Sequence, residues 1–324
     1  MGSNPPGLTW ALIEEARARI APFVHRTPVL TSETLDAECG ARLFFKCENF
    51  QKGGAFKARG ASNAVFGLPE GEARRGVATH SSGNHAAALA HAARLRAIPA
   101  YIVMPDNTPL AKRAAAERDG AIITLCQPTL AARERAAAGV IARTGAVLVH
   151  PYDDLRVMAG QATVAVELLE QVPDLDLLLV PVSGGGLLSG IAVATHSLRP
   201  EVRLLGVEPE GADDAARSLK AGRIVPCERP ATIADGLRAT IGVRPFAEIR
   251  RYVDGIVTVS DAAIVAAMRR IWEVLKIVVE PSGAAAYAVV TAQREPTQGR
   301  RIGVVLSGGN LDLGSLPWIT PARG

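Results

Sequence analysis

Short, uninterrupted apolar runs recur along this chain, and between them lie longer stretches whose apolar residues fall three and four apart. The first pattern reads as strands buried on both faces, the second as amphipathic helices. Residues 177–182, Leu-Leu-Leu-Val-Pro-Val, are the plainest strand. The same reading predicts strands over 43–46, 100–104, 121–125, 147–149, 203–207, 256–259 and 302–306. It predicts helices over 9–21, 62–67, 86–96, 109–119, 130–144, 158–171, 187–197, 213–222, 261–275 and 282–292. Strands alternating with helices need crossover connections, so the expected fold is α/β with a mainly parallel sheet covered on both faces.

Several predicted strands end in small polar residues, and in open α/β sheets ligands sit beyond the carboxyl ends of the strands. After 177–182 comes Ser183-Gly184-Gly185-Gly186-Leu187, opening a helix. Consecutive glycines let backbone N–H groups point inward, and the helix start adds positive potential, a combination suited to phosphate. Gly185 and Gly190 have P-loop separation, but Ile191 stands where lysine is required; a dinucleotide fingerprint fails at Ser189 and Leu187. An ordinary strand-to-helix turn uses the same residues. His80-Ser81-Ser82-Gly83-Asn84-His85 precedes an alanine-rich helix and reads either as a helix cap or as a carboxylate site. Ser307-Gly308-Gly309-Asn310 ends the strand over 302–306. Lys57 lies between Phe56 and Ala58 behind Gly53-Gly54; desolvation there would lower its pKa and favour the neutral amine that attacks carbonyls, unless the side chain lies solvated on the surface.

Composition narrows the classes. The 324 residues suffice for two compact units. Lysine and arginine number 36 against 32 acidic residues, a formal +4; the basic residues are scattered and aromatics make up only 4%, which disfavours a nucleic-acid surface. Cys39, Cys47, Cys126 and Cys227 form no CxxC pair, against zinc and a disulfide framework. No apolar run approaches membrane-spanning length, and the start lacks the features of a secretory signal. Met1-Gly2 begins like a myristoylation motif, but Pro6 stands where serine or threonine is needed. The expected setting is cytoplasmic, with no membrane partner.

Phe56-Lys57-Ala58-Arg59-Gly60-Ala61, Ser81 to His85, Ala159-Gly160-Gln161, Ser183 to Gly186, Thr232 to Gly236, Glu280-Pro281-Ser282-Gly283 and Ser307 to Asn310 stand in the order of one enzyme family. Through them nearly the whole chain resembles fold type II pyridoxal-phosphate enzymes of the serine racemase and threonine/serine dehydratase group. The resemblance implies two doubly wound parallel-sheet domains of the tryptophan synthase β-like kind, a larger one from 1–50 and 149–324 and a smaller, mobile one from 51–148, with the cofactor in the cleft between. It implies a homodimer. It implies that Lys57, beside Phe56, holds pyridoxal 5'-phosphate covalently and moves the substrate α-proton. Backbone N–H groups of Ser183, Gly184, Gly185, Gly186 and Leu187 would take the phosphate, Asn84 the ring hydroxyl and Ser307 the ring nitrogen. Ser81, Ser82, Asn84, His85 and Arg133 would meet the amino-acid substrate. Glu208, the Ala212 carbonyl and Asp214 match a divalent-metal segment suited to magnesium or calcium, although a solvated acidic loop has the same composition.

The implied reaction is dehydration of a small 3-hydroxy amino acid (serine, threonine or threo-3-hydroxyaspartate) to a keto acid and ammonia. Racemisation of serine or aspartate is the alternative, because it needs an acid/base on each face and Lys57 with Ser82 would supply the pair. Many bacterial threonine dehydratases carry alanine at the position of Ser82. Against racemisation, His150-Pro151-Tyr152-Asp153-Asp154 resembles the dehydratase version, and Ala239 stands where animal serine racemases have a substrate-contacting serine. Ser183 replaces the first of four usual glycines. Arg133 and Arg238 are candidate partners for a distal carboxylate. A binding protein that kept the fold without catalysis is the alternative from another class. With no room for a regulatory domain after Gly324, feedback control by isoleucine is not expected.

Overall fold

The computed structural model describes residues 7–318. The myristoylation-like start at residues 1–6 and the chain end at Gly324 lie outside the described residues. Among the described residues two sheets form from β1 (Val29–Leu30), β2 (Arg42–Cys47), β3 (Val77–Thr79), β4 (Ala100–Pro105), β5 (Ile122–Cys126), β6 (Val147–Leu148), β7 (Leu177–Pro181), β8 (Arg203–Pro209), β9 (Gly255–Val259) and β10 (Arg301–Leu306). The larger sheet runs β1-β2-β10-β7-β8-β9 and the smaller β5-β4-β3-β6. β1 pairs antiparallel with β2; the other pairings are parallel.

β7 shows why the central strands lack a polar alternation. Leu177 and Leu179 enter one core with Met268 and Tyr287, while Leu178 and Val180 enter the opposite core with Met158 and Leu188. Helices cover both faces, so every side chain along the strand is apolar. In β10 a Cβ at Gly303 would lie 2.9 Å from side-chain carbons of Leu175 and Leu178, so glycine lets the strand sit close under its covering layer. The smaller sheet has its own core, built from Val77, Ile102 and Met104 against Ala86, Leu89 and Ala93 of the helix Asn84–Leu95. No helix among the described residues is long and apolar enough to cross a membrane.

Three local differences from the predicted elements bear on the site. The helix expected from 62 begins at Lys57 and runs to Phe66. Gly53 and Gly54 turn the chain at φ +70° and +74°, after which Ala55 bridges Gly308 and the Phe56 N–H donates to the Ser307 carbonyl at 3.1 Å. The glycines end the preceding turn without delaying the helix. Val243–Tyr252 is also helical; Pro245 falls in its first turn, where the missing N–H costs nothing. β3 and β1 are too short for a periodic signal.

Helix Lys57–Phe66 lies across Leu155–Gln171, and glycines make the contact. A Cβ at Gly160 would stand 2.6 Å from the Arg59 carbonyl and from the Gly60 Cα. Loops after strands of both sheets are then linked in sequence: 149–154 after β6 receives the Lys57 amine, 182–185 after β7 packs against Tyr152, and 307–310 after β10 bonds Phe56 and also Asn84, which ends the loop after β3.

Candidate active site

Lys57 is the first residue of its helix. Its Nζ donates to the Pro151 carbonyl at 2.8 Å and lies 5.0 Å from the centre of the Phe56 ring. Burial without a carboxylate partner lowers its pKa to about 8, which brings the neutral amine within reach of physiological pH. Next along the chain from Pro151 is Tyr152, which covers the glycine loop. A Cβ at Gly184 would lie 2.4 Å from the Tyr152 ring, and one at Gly186 would lie 2.9 Å from the Tyr152 Cα. One peptide unit therefore joins the lysine's anchor to the loop.

The loop itself is a cradle of backbone. Gly185 caps the helix Gly186–Leu198 at φ +89°, a left-handed conformation that favours glycine, and a Cβ there would stand 2.7 Å from that of Pro245. The first intrahelical bond runs from the Ser189 N–H to the Gly185 carbonyl, so the N–H groups of Gly186, Leu187 and Leu188 open from the positive end of the helix. Ser183 ties the loop down: its Oγ accepts the Ala239 N–H at 3.0 Å, and the Gly184 carbonyl accepts the Gly242 N–H at 3.0 Å.

On the other side Asn84 opens the helix Asn84–Leu95 with both ends of its amide engaged. Nδ2 donates to Glu280 Oε1 at 3.0 Å, and Oδ1 accepts from Asn310 Nδ2 at 3.0 Å. Burial, reinforced by Asp235, raises the Glu280 pKa to about 8, so this carboxyl keeps its proton at neutral pH. Ser307 is buried, its hydroxyl 3.5 Å from the Ser282 carbonyl and its own carbonyl holding Phe56.

Ser81 and Ser82 are half-buried at the start of the same turn. Ser81 Oγ accepts the Gly83 N–H at 3.5 Å, whereas the Ser82 hydroxyl has no hydrogen-bond partner among the described residues. The His85 side chain points away from an anion-binding role: it is buried with Nε2 3.3 Å from the Val149 carbonyl, and burial followed by the Lys57 charge holds its pKa well below the ordinary value. Its backbone N–H, in the first helical turn, is the part available to a carboxylate. His80, His150 and Tyr152 form an edge-to-face column with centroids 5.3 and 4.6 Å apart. His150 Nδ1 accepts the Asp153 N–H at 3.0 Å, and burial followed by His80 lowers its pKa to about 4. Burial lowers His80 as well, and the Arg133 charge adds to it. Arg133 itself is half-buried on the helix Leu130–Thr144. Arg238 instead folds back on the Thr232 carbonyl.

The acidic segment lies at the end of β8. Glu208 is buried and accepts the Ala215 and Ala216 N–H groups at 3.0 and 2.8 Å; Asp214 Oδ2 accepts the Ile241 N–H at 2.8 Å. Asp214 Oδ1 is buried without a hydrogen-bond partner among the described residues. Burial raises Glu208 to about 8 and Asp214 to about 6. Among the described residues no three His, Cys, Asp or Glu side chains gather as a ligand set, so a cation here would need the Ala212 carbonyl and waters.

A family profile described as "Pyridoxal-phosphate dependent enzyme" matches residues 20–308. The chain belongs to this family. It is 51% identical over 309 residues to a serine racemase of Oryza sativa subsp. indica, covering 94% of this chain and 91% of that one. It is 50% identical over 303 residues to the beta-hydroxyaspartate dehydratase of Paracoccus denitrificans, covering 94% and 96%. The solved structure of maize serine racemase superposes with a TM-score of 0.93 at 48% identity, covering 95% of each chain. The residues fit the cofactor: a desolvated amine is held by Pro151, and the next residue, Tyr152, packs on a loop whose glycines open N–H groups at a helix start.

Pro151, Tyr152, Glu280 and Arg59 escaped assignment from sequence. Glu280 stands immediately before Pro281, where it reads as a helix boundary, and only folding sets it against Asn84.

Proposed function

We propose that the chain is a pyridoxal-phosphate ammonia-lyase that dehydrates a small 3-hydroxy amino acid, with racemisation as a second activity of the same site. The observation that carries the reading is the Lys57 amine, desolvated and hydrogen-bonded to the Pro151 carbonyl, one residue before the Tyr152 that packs on the glycine cradle. When bound, the cofactor supplies an electron-withdrawing ring joined to the substrate nitrogen, which acidifies the α-proton and lets the β-hydroxyl leave. Lys57 Nζ takes that proton. The N–H groups of Ser183 to Leu187 hold the phosphate, Asn84 and Ser307 orient the ring, and the first-turn N–H groups with Ser81 and Ser82 seat the carboxylate. Ser307 is a neutral partner for the ring nitrogen, so charge is not stored deeply and prompt elimination is favoured. Tyr152 and the low-pKa histidines line the cleft as neutral groups, excluding water without adding fixed charge.

The racemase reading rests on Ser82. Its hydroxyl is uncommitted, and it supplies the second acid/base that inversion requires. The relatives carry both names, serine racemase and beta-hydroxyaspartate dehydratase. Arg133, half-buried on the helix Leu130–Thr144, is the candidate for a distal carboxylate, favouring hydroxyaspartate among the substrates. Glu208, the Ala212 carbonyl and Asp214 would hold magnesium or calcium; the buried carboxyl of Glu208 and the Asp214 Oδ1 with no hydrogen-bond partner among the described residues support that reading. The reading also carries a cytoplasmic homodimer whose smaller-sheet body closes over substrate, and sedimentation of the holoenzyme at a single-protomer mass would count against the dimer.

Keto acid and D-serine formation by wild type, Lys57→Ala and Ser82→Ala separate the alternatives. Lys57→Ala should lose the visible absorbance and both products. Ser82→Ala should lose inversion at least about tenfold further than elimination. A wild type that stays colourless after reconstitution points to a binding protein instead. Arg133→Ala should reduce hydroxyaspartate turnover more than threonine turnover; equal losses would remove Arg133 from substrate choice.

A further inference from the structure

Arg59 follows Lys57 by two positions, is fully buried, and uses every guanidinium nitrogen. Nε and Nη2 donate to the two oxygens of Glu48, each at 2.8 Å. Nη1 and Nη2 donate to the two oxygens of Glu167 at 2.7 and 2.8 Å, and Nη1 reaches Thr163 Oγ1 at 3.1 Å. Lys46 completes the cluster through Glu167 Oε2 at 2.7 Å, and Thr27 Oγ1 donates to Glu48 at 2.6 Å. Two cations and two carboxylates balance in the dry interior. Such clusters are poor stabilisers compared with apolar packing of equal volume, and their best-attested use is to specify one arrangement.

The lysine helix needs such a device. Gly53 and Gly54 precede it, Phe56 gives no side-chain cap, and the Lys57 side chain holds only one carbonyl. Two residues turn an α-helix by about 200°, so Arg59 leaves the side opposite Lys57. There it is bound to Glu48, just after β2, and to Glu167, on the helix Leu155–Gln171 that follows the Pro151 turn. Close contact at Gly60 and Gly160 leaves the helix little freedom to slide.

We infer that Arg59 is a positioning residue for Lys57, its double carboxylate clamp fixing the rotation of the first helical turn so that the amine faces the Pro151 carbonyl and the glycine cradle. The inference deepens the proposed function and rests on Lys57 being the residue that holds the cofactor.

The test uses the full chain purified with pyridoxal phosphate, comparing wild type, Arg59→Lys and Lys46→Gln. Lys46→Gln disturbs the same cluster without touching the lysine helix, so it controls for a purely structural role. Amide hydrogen exchange over 54–62 should accelerate at least about tenfold in Arg59→Lys while 281–291 keeps its protection, and the pH midpoint of the visible absorbance should move. Lys46→Gln should lower the melting temperature and leave both readouts near wild type. Equal changes in the two variants, or unchanged exchange over 54–62 in Arg59→Lys, would overturn the positioning role. Should Arg59→Lys fail to fold, Glu48→Gln, which opens one side of the clamp, is read against the same criteria. A wild type without visible absorbance defeats the cofactor reading, while the exchange comparison still reports on the clamp.

Discussion

Glu208 and Asp214 are carboxyls in an apolar setting, and their folded pKa values of about 8 and about 6 stand above the ordinary 4.5 and 3.8. Between the ordinary and the folded values the native state keeps protons that the unfolded chain has released, so stability falls as pH rises through that window. A divalent cation bound as proposed would displace those protons and remove the slope. In chelator the melting temperature should therefore fall from about pH 5 to about pH 8, and excess magnesium should flatten that fall. Glu280, also raised to about 8, adds a slope of the same sign but is no part of the acidic segment, so the difference between the two curves reports on Glu208 and Asp214. Parallel curves would argue for two carboxyls that are simply buried and protonated. His150 works in the opposite sense: its pKa is lowered to about 4, so its contribution is lost as pH drops from its ordinary 6.5 through 4.

At the scale of elements, the proposed function puts phosphate binding at the junction of β7 with the helix Gly186–Leu198, where Tyr152 would set its tolerance. Gly184→Ala pushes a methyl into the Tyr152 ring and should cost about 1–3 kcal/mol of stability together with cofactor affinity. Adding Tyr152→Ala should restore part of the affinity, read from a cofactor titration; no recovery would place the clash elsewhere. β7 and its loop were legible in the sequence because the apolar run and the glycines act locally. The start of the lysine helix and the helix Val243–Tyr252 were not, since glycine and proline signal breaks whose outcome depends on contacts at Ser307 and Gly242. Lys57, Asn84 and Ser307 were candidates through family motifs, and the loops that carry them are joined by the Asn310 bond to Asn84 and the Phe56 bond to Ser307. Tyr152, Glu280 and Arg59 gain their roles from partners distant in the chain, Gly184, Asn84 and Glu167, which no spacing rule joins.

Across the whole molecule the arrangement depends on loops that follow parallel strands of both sheets, β6 of the smaller and β7 and β10 of the larger. The chain passes from the smaller sheet to the larger through 149–154. Within that segment Pro151 receives Lys57, Tyr152 covers the glycine loop, Asp153 accepts the Val243 and Arg244 N–H groups, and Asp154 caps the next helix. Motion of the smaller sheet would thus be felt at the lysine and the phosphate cradle together, which suits a site that must shut out water before a proton moves. The central claim is that one amine, Lys57, carries the cofactor. Borohydride reduction of the holoenzyme, proteolysis and peptide mass analysis should find the pyridoxyl-phosphate mass on the peptide containing Lys57 and on no peptide of Lys57→Ala; a label on Lys46 or Lys52, or none at all, would contradict the account.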